Sequence, residues 1–315
     1  MKKIVVAAAA NLDSAASAHA TTFQVAMTLA ADMLRDHHQI DVELFWINDR
    51  ATPDGGAAAA KAVLESGAQA VVGHFASGAA LAAAPIYETR NFPVFLPAAT
   101  AQALTQFRGI YRLCDSDVDY CSWIAEWITL RSFTKVYIET DGSVHGQSVK
   151  QCLVAALGPD RISGSPVHGD ALLFSGMFHA SVAFARAQID AADHRPILLT
   201  DDAQSHQLAA HLGQTARDIF VMGFRTSAQT PAGAQVGLAY GERYGEHPGI
   251  YFFETVAAMQ VAAAWLSRNV WYMPVDTVLG RIRFTEAGES HPRRFACLKL
   301  ANGRLIELDG ALANG

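Results

Sequence analysis

Two short polar segments of this 315-residue chain follow strand-like runs and could bind an anion. The segment Ser77–Gly78 comes after the apolar run Ala70–Val72, and Ala98–Thr100 comes after Pro93–Leu96. In an open parallel sheet, ligands bind just beyond the carboxyl ends of the strands. Hydroxyl and backbone N–H groups at that place suit a negative charge, and small residues let it approach the backbone. The two segments therefore predict a binding site for an anionic group.

Composition and charge restrict the class of protein. The chain is 51% hydrophobic and 17% charged, which is typical of a soluble globular protein, and its length is sufficient for two lobes. A net charge of −6 without a basic stripe argues against a nucleic-acid partner. Since no apolar run approaches the roughly 20 residues that span a bilayer, we expect no membrane insertion.

Strand and helix patterns alternate along most of the chain, which favours an α/β fold with doubly wound, mostly parallel sheets. The expected strands are Lys3–Ala8, Asp41–Trp46, Ala70–Val72, Pro93–Leu96, Lys135–Glu139, Pro196–Thr200 and Ile219–Met222. The expected helices are Thr22–Arg35, Gly56–Glu65, Ala79–Thr89, Tyr120–Leu130, Gly146–Leu157, Phe174–Asp190, Ala203–Leu212 and Tyr251–Ser267. Near the end of the chain, Asn302-Gly303 is a strong signal for a β-hairpin turn.

Three segments give the chain a resemblance to a known family: 73–77 (GHFAS), 85–88 (PIYE) and 97–100 (PAAT). In this order and spacing they resemble the leucine/isoleucine/valine-binding proteins, which are type I periplasmic solute-binding proteins. The resemblance implies two lobes joined by three hinge crossovers, near 117–121, 246–250 and 288–294. On this basis lobe 1 comprises residues 1–118 and 249–290, and lobe 2 comprises residues 119–248 and 291–315.

The resemblance also implies a function. We expect a protein that captures a small carboxylate-bearing solute, an amino acid or another organic acid, between its lobes by hinge closure. It would deliver the solute to the permease of an ABC importer, with no catalytic residue, cofactor or metal; the twelve histidines show no metal-ligand spacing. The alternative is a cytoplasmic small-molecule sensor of the amide-sensor type, built on the same fold.

Site residues follow from the resemblance position by position. Ser77 and Thr100 would donate to the carboxylate of the solute, and the Ala98 carbonyl would accept from an ammonium group. Asp117 occupies an acidic position at the first crossover, and His145 stands where relatives carry a tyrosine that touches the ligand. Ser77 and Asp117 could instead be helix caps, and His145 could be an ordinary surface residue.

The chain departs from amino-acid binders after the strand that ends at Met222. Those relatives place an acidic residue there to pair with the ammonium group, whereas this chain has Arg225, which would favour a second carboxylate. Asp201 and Asp202 follow an earlier strand where many relatives have small residues. Either aspartate could supply the missing acid or cap the next helix.

The first twenty residues imitate a signal peptide, with an apolar run and the segment Ala18–Ala20 as a cleavage-like site. The run Lys3–Ala10 reads better as the first strand, so we expect a periplasmic protein in its mature form, or else a cytoplasmic one. The four cysteines show no metal-ligand spacing; Cys114 and Cys121 could be neighbours, but buried free thiols are the simpler expectation.

Overall fold

The computed structural model of the protein describes residues 1–15, 17, 19–191 and 194–308. The chain divides into two compact units. Unit 1 contains residues 1–115 and 226–293, and unit 2 contains residues 116–225 and the described residues from 294 onward.

Strands and helices alternate in both units. The strands are β1 Lys2–Ala10, β2 Ile40–Asn48, β3 Ala70–Gly73, β4 Val94–Leu96, β5 Ile110–Arg112, β6 Val136–Thr140, β7 Ile162–Ser163, β8 Ala171–Ser175, β9 Ile197–Leu199, β10 Ile219–Phe224, β11 Val275–Thr277, β12 Gly280–Ile282, β13 Phe295–Ala301 and β14 Arg304–Glu307. The α-helices are α1 Ala20–His38, α2 Pro53–Glu65, α3 Ser77–Glu88, α4 Asp117–Leu130, α5 Val144–Leu157, α6 Phe178–Asp190, α7 His206–Leu212, α8 Pro231–Tyr244 and α9 Phe252–Arg268. Among the described residues, no helix is both long and apolar enough to cross a bilayer.

Unit 1 contains a five-stranded sheet in the order β2-β1-β3-β4-β5, with every pair parallel. Successive residues of β1 point to opposite faces of the sheet, as the period of two requires. Val6 and Ala8 join a core with α1 and α9, while Ala7 and Ala9 join a second core with α2 and α3. The sheet is therefore covered by helices on both faces, and the ends of its strands remain available for a site.

Unit 2 contains a seven-stranded sheet in the order β14-β13-β10-β9-β8-β6-β7. The five strands from β10 to β7 are parallel, and β13 and β14 add an antiparallel edge. The predicted hairpin turn lies between β13 and β14: Ala301 pairs with Arg304, and Asn302 and Gly303 have φ of 52° and 73°. Positive φ at both central residues is what a two-residue hairpin turn of this kind requires, and Asn-Gly supplies it.

Several elements differ from the prediction, and the short strands β5 and β7 have no counterpart in it. Residues 171–175 form strand β8, whereas the predicted helix began at Phe174; a short apolar run cannot be assigned to strand or helix by periodicity alone. Helix α8 has no counterpart among the predicted elements, and its Val236 and Tyr240 belong to the same core as α1 and α9. Residues 226–248 therefore lie in unit 1, whereas the predicted lobe 2 continued to residue 248.

Candidate functional site

The unit 1 edge, which we define as Ser77, Ala98 and Thr100, lies where β3 and β4 end. These strands are adjacent and parallel, so the chain segments that follow them leave the sheet at the same side. Ser77 is the first residue of α3, and its Oγ accepts a hydrogen bond of 3.3 Å from the Ala101 backbone N–H. All three residues of the edge are buried, and the structure thus brings the two predicted segments together.

The unit 1 edge presents donors rather than charges. The N-cap of α3 is Ala76, and within the described part of the chain no side chain caps this helix. Ser77 is therefore not the cap that the sequence allowed as an alternative. The Thr100 Oγ1 atom is buried without a hydrogen-bond partner among the described residues. An uncapped helix N-terminus and an unused hydroxyl are both suited to an anion.

A buried ion pair holds the loop that carries Thr100. Arg112 is completely buried, and its Nη1 and Nη2 donate to the backbone carbonyls of Thr100 and Ala101, the latter at 2.9 Å. Its Nε lies 3.1 Å from Glu289 Oε2, and Thr105 Oγ1 donates to Glu289 Oε1 at 2.8 Å. The two hydrogen bonds from Arg112 hold the loop carbonyls in place. Sequence reasoning missed Arg112 and Glu289, which are far apart in the chain and belong to no motif.

A second buried network lies at the end of β3. His74 Nδ1 is 2.7 Å from Asp49 Oδ2, and His74 Nε2 is 3.2 Å from the Tyr87 hydroxyl. Burial, together with the charge of Asp49, raises the pKa of Tyr87, which therefore stays protonated. The network joins the ends of β2 and β3 to α3, and so it supports the segment that contains Ser77. His74 and Tyr87 lie in segments used for the resemblance, but no pattern indicated their contact with each other or with Asp49.

The unit 2 edge, which we define as Asp117, His145, Asp201 and Asp202, carries charges. His145 lies in the first turn of α5, and its Nε2 is 3.1 Å from Asp201 Oδ1 and 3.9 Å from Asp202 Oδ2. Asp201 and Asp202 lie in a 3-10 turn at Asp201–Ala203, directly after β9. Asp117 begins α4, and its Oδ2 accepts a hydrogen bond of 2.5 Å from Ser148 Oγ on α5. The cap of α4 is Ser116, so Asp117 is not the capping residue.

His145 is a cation at neutral pH. Burial alone lowers the pKa of this imidazole, but the charges of Asp201 and Asp202, a hydrogen bond to Asp201 and the charge of Asp117 together raise the pKa to about 10. One imidazolium then faces three aspartates. In formal charge the unit 2 edge is therefore acidic, even with its histidine protonated.

Tyr120 positions the turn that contains Asp201. Its hydroxyl is buried, donates to the Met222 carbonyl at the end of β10, and accepts a hydrogen bond of 3.0 Å from the Asp201 backbone N–H. Beside this turn, the hydroxyls of Ser175 and Thr200 are buried at the ends of β8 and β9 without partners in the described ranges. Sequence reasoning missed these three residues, because only the order of strands in the sheet places them together.

Arg225 is already paired. Its Nη1 lies 2.9 Å from Glu307 Oε1 on β14, and both side chains are mostly buried. Its backbone N–H donates to the Arg294 carbonyl, and Arg294 Nη2 donates back to the Arg225 carbonyl at 2.8 Å. The guanidinium therefore has a carboxylate partner inside unit 2, whereas the sequence suggested that it could receive a carboxylate of the solute.

Comparisons with known proteins agree with this fold. Residues 3–159 match the family model described as "Periplasmic binding protein". The Leu/Ile/Val-binding protein of Escherichia coli (strain K12) is 22% identical over 282 residues, which cover 77% of this chain and 75% of that protein.

Solved structures show the same fold over nearly the whole chain. The leucine-binding protein LivK of Thermotoga maritima MSB8 has a TM-score of 0.88 at 18% identity, and the alignment covers 97% of this chain and 98% of that one. LivJ of Streptococcus pneumoniae in complex with isoleucine gives 0.83 at 16% identity, covering 98% and 100%. A solute-binding protein from R. palustris in complex with benzoate gives 0.78 at 12% identity, covering 97% and 95%.

The chain is therefore a type I periplasmic binding protein in fold, which confirms the predicted α/β class with mostly parallel sheets. Its sequence is similar to that of the Leu/Ile/Val-binding protein, and its fold is shared by solute-binding proteins whose structures contain isoleucine or benzoate.

Proposed function

We propose that this protein binds a small amino acid for an ABC importer. The observation that carries the proposal is the contrast between the two edges: the unit 1 edge offers neutral donors, and the unit 2 edge is acidic. An amino acid has a group suited to each edge: an α-carboxylate for the neutral donors of unit 1 and an ammonium group for the acidic edge of unit 2. That one solute contacts both edges is what the resemblance to the solute-binding family implies.

The carboxylate would bind at the unit 1 edge. The uncapped N-terminus of α3 provides backbone N–H groups and the positive end of the helix dipole, and Ser77 and Thr100 provide hydroxyls. Bonds from neutral donors to an ionised carboxylate are charge-assisted, and each contributes more than a bond between neutral groups. Ala98 would contribute its backbone carbonyl to the ammonium group.

The ammonium group would bind mainly at the unit 2 edge. Asp117, Asp201 and Asp202 outnumber the one imidazolium of His145, so a second cation has a favourable place there. A solute without an amine, such as the benzoate bound by the R. palustris protein, would leave these carboxylates uncompensated. The Arg225–Glu307 pair argues in the same direction, because a paired guanidinium is not required for a second carboxylate of the solute.

The remaining parts of the proposal follow the relatives. The mature protein would act in the periplasm, pass its solute to a transporter permease, and catalyse no reaction. The cytoplasmic sensor is not carried further, since the similar structures named above are leucine-, isoleucine- and benzoate-binding proteins.

Calorimetry on protein unfolded and refolded to remove bound solute tests the proposal. The panel would contain aliphatic and aromatic amino acids, the corresponding amines without the carboxylate, and the corresponding acids without the amine. We expect binding only where both groups are present. Equal affinity for an amino acid and its deaminated acid would contradict the assignment of the unit 2 edge.

A matched pair of variants tests the aspartates. Asp201→Asn removes a charge from the unit 2 edge, and Asp190→Asn removes one from the exposed end of α6. A charge-assisted hydrogen bond contributes about 1.5–3 kcal/mol, so we expect Asp201→Asn to weaken amino-acid binding by about ten- to a hundredfold. Asp190→Asn should leave the affinity unchanged, and an equal loss in both variants would show a long-range charge effect instead.

A further inference from the structure

Helices α4 and α5 contact each other through two pairs of side chains that are one helical turn apart. Asp117 on α4 pairs with Ser148 on α5. Four residues further along each helix, Cys121 on α4 is the neighbour of Cys152 on α5, and the Cys121 Sγ contacts Val149, three residues before Cys152. Since residues four apart lie on the same helix face, both pairs belong to one continuous contact between the helices.

The two thiols differ in exposure. Cys121 is completely buried, and its Sγ donates to the Val149 carbonyl at 3.5 Å. Cys152 is partly exposed. The neighbouring Cys121 thiol lowers the pKa of Cys152 against the opposing effect of partial burial, whereas burial raises the pKa of Cys121 well above its ordinary value. The pair thus combines an accessible thiol that ionises more readily with an inaccessible one that does not.

We propose that Cys121 and Cys152 are a redox-active pair that forms an internal disulfide by exchange with a low-molecular-weight disulfide. The Cys152 thiolate attacks one sulfur of that disulfide, forms a mixed disulfide and displaces the first thiol. The Cys121 sulfur then attacks the Cys152 sulfur and displaces the second. The two cysteines lose two electrons and two protons, and the small disulfide gains both as it becomes two thiols.

The remaining two cysteines have other surroundings. Cys114 is buried in unit 1, where its Sγ donates to the Ala99 carbonyl at 3.7 Å, and Cys297 is buried on β13. Neither is accessible to an oxidant in the way that Cys152 is. Within unit 2 the neighbour of Cys121 is Cys152, a pair that the sequence did not indicate.

The disulfide would join α4 to α5 one turn from the Asp117–Ser148 hydrogen bond. It would therefore restrain the same two helices that carry Asp117 and His145. The proposal does not depend on the solute or on the transport function, because it rests on the two thiols alone.

Incubation of the folded wild-type chain with oxidised glutathione tests the pair. The protein is then denatured in N-ethylmaleimide, digested and analysed by mass spectrometry. We expect a Cys121–Cys152 cross-linked peptide, two alkylated cysteines, and full alkylation of all four after prior treatment with dithiothreitol. Alkylation of all four without that treatment, a stable glutathione adduct on Cys152, or a bridge to another cysteine would overturn the proposal.

Three single variants locate the two steps. In Cys121→Ser the second step is blocked, so glutathione should remain attached to Cys152. In Cys152→Ser neither the bridge nor an adduct on Cys121 should form. Cys297→Ser is the matched control, in which the bridge should form as in the wild type. Loss of the bridge in Cys297→Ser, or an adduct on Cys121 in Cys152→Ser, would contradict the assigned roles.

Discussion

The two edges use charge in opposite ways. In unit 1 the ions lie behind the edge: Arg112 and Glu289 are buried and form an ion pair, and Arg112 donates to the loop carbonyls. In unit 2 the ions belong to the edge itself, with His145 against Asp201 and Asp202. The unit 1 edge therefore consists of neutral groups that a buried ion pair holds in place. The unit 2 edge consists of ionisable side chains.

This difference gives the two edges different sensitivities. Neutral donors fixed by a buried ion pair keep the same state over a wide pH range, but they depend on the integrity of that pair. A partly compensated group of carboxylates depends on the protonation of its histidine. Damage to unit 1 should thus appear first in stability, and changes in unit 2 should appear first in pH dependence.

The largest effect should follow from Arg112→Ala. The substitution leaves Glu289 buried without its cation and two loop carbonyls without their donor, and breaking a buried pair in this way costs about 3–5 kcal/mol. We expect a loss of that size in the free energy of unfolding from urea denaturation. The control is Arg35→Ala, which removes a solvent-exposed ion pair with Asp32 and should leave the free energy of unfolding almost unchanged. Equal losses would show that the buried pair does not hold the loop.

The next effect is a pH dependence that belongs to unit 2. The pKa of His145 is about 10 in the folded chain and close to 6.5 when unfolded, so its contribution is complete below pH 6.5 and disappears as the pH rises through 10. We expect the free energy of unfolding to fall by several kcal/mol as the pH rises from 6.5 to 10.

The measurement is urea denaturation of the wild type and His145→Gln at several values between pH 6 and pH 10. Because other groups also titrate in this range, we compare the two proteins by the difference between their free energies of unfolding. This difference should be largest at pH 6 and should decrease toward pH 10. A constant difference would mean that His145 is neutral at the lower pH, and that the acidic edge lacks its cation.

A smaller effect concerns Arg225, the residue for which sequence and structure disagree most. Arg225→Ala removes the pair with Glu307, and loss of one hydrogen bond between charged groups should cost about 1.5–3 kcal/mol of stability. Since its guanidinium is occupied within unit 2, the affinity for amino acids should not change. A tenfold or larger loss of affinity in calorimetry would mean that Arg225 leaves Glu307 for the solute.

Local patterns predicted the elements of both units, but not the contacts between distant segments. Strand β1 and the Asn302-Gly303 turn depend on neighbouring residues, so the sequence alone was sufficient to predict them. Strand β8 and helix α8 were missed, because an apolar run of five residues is ambiguous and because the core partners of α8 lie far away in the chain.

The same reason explains which site residues were found. Ser77 and Thr100 follow strands directly, and the family motif marks them. Arg112 and Glu289 are 177 positions apart, and only the fold makes them a pair. The hydroxyl of Tyr120 likewise reaches the turn of Asp201 from a different element. The sequence therefore indicated residues of the two edges. It did not indicate the buried residues that hold them in place.

The smallest effect should come from the helix caps, which differ between the edges. The N-cap of α3 at the unit 1 edge is Ala76, whereas the N-cap of α5 at the unit 2 edge is Ser143, whose Oγ accepts from the Gly146 N–H at 3.0 Å. A serine cap contributes about 0.5–2 kcal/mol, so Ser143→Ala should lower stability and Ala76→Ser should raise it by amounts in that range.

If a solute carboxylate uses the free N–H groups of α3, the added serine competes for them. Ala76→Ser should then weaken amino-acid binding while it stabilises the unliganded protein, a combination that urea denaturation and calorimetry together detect. A gain in stability with unchanged affinity would place the carboxylate away from the start of α3.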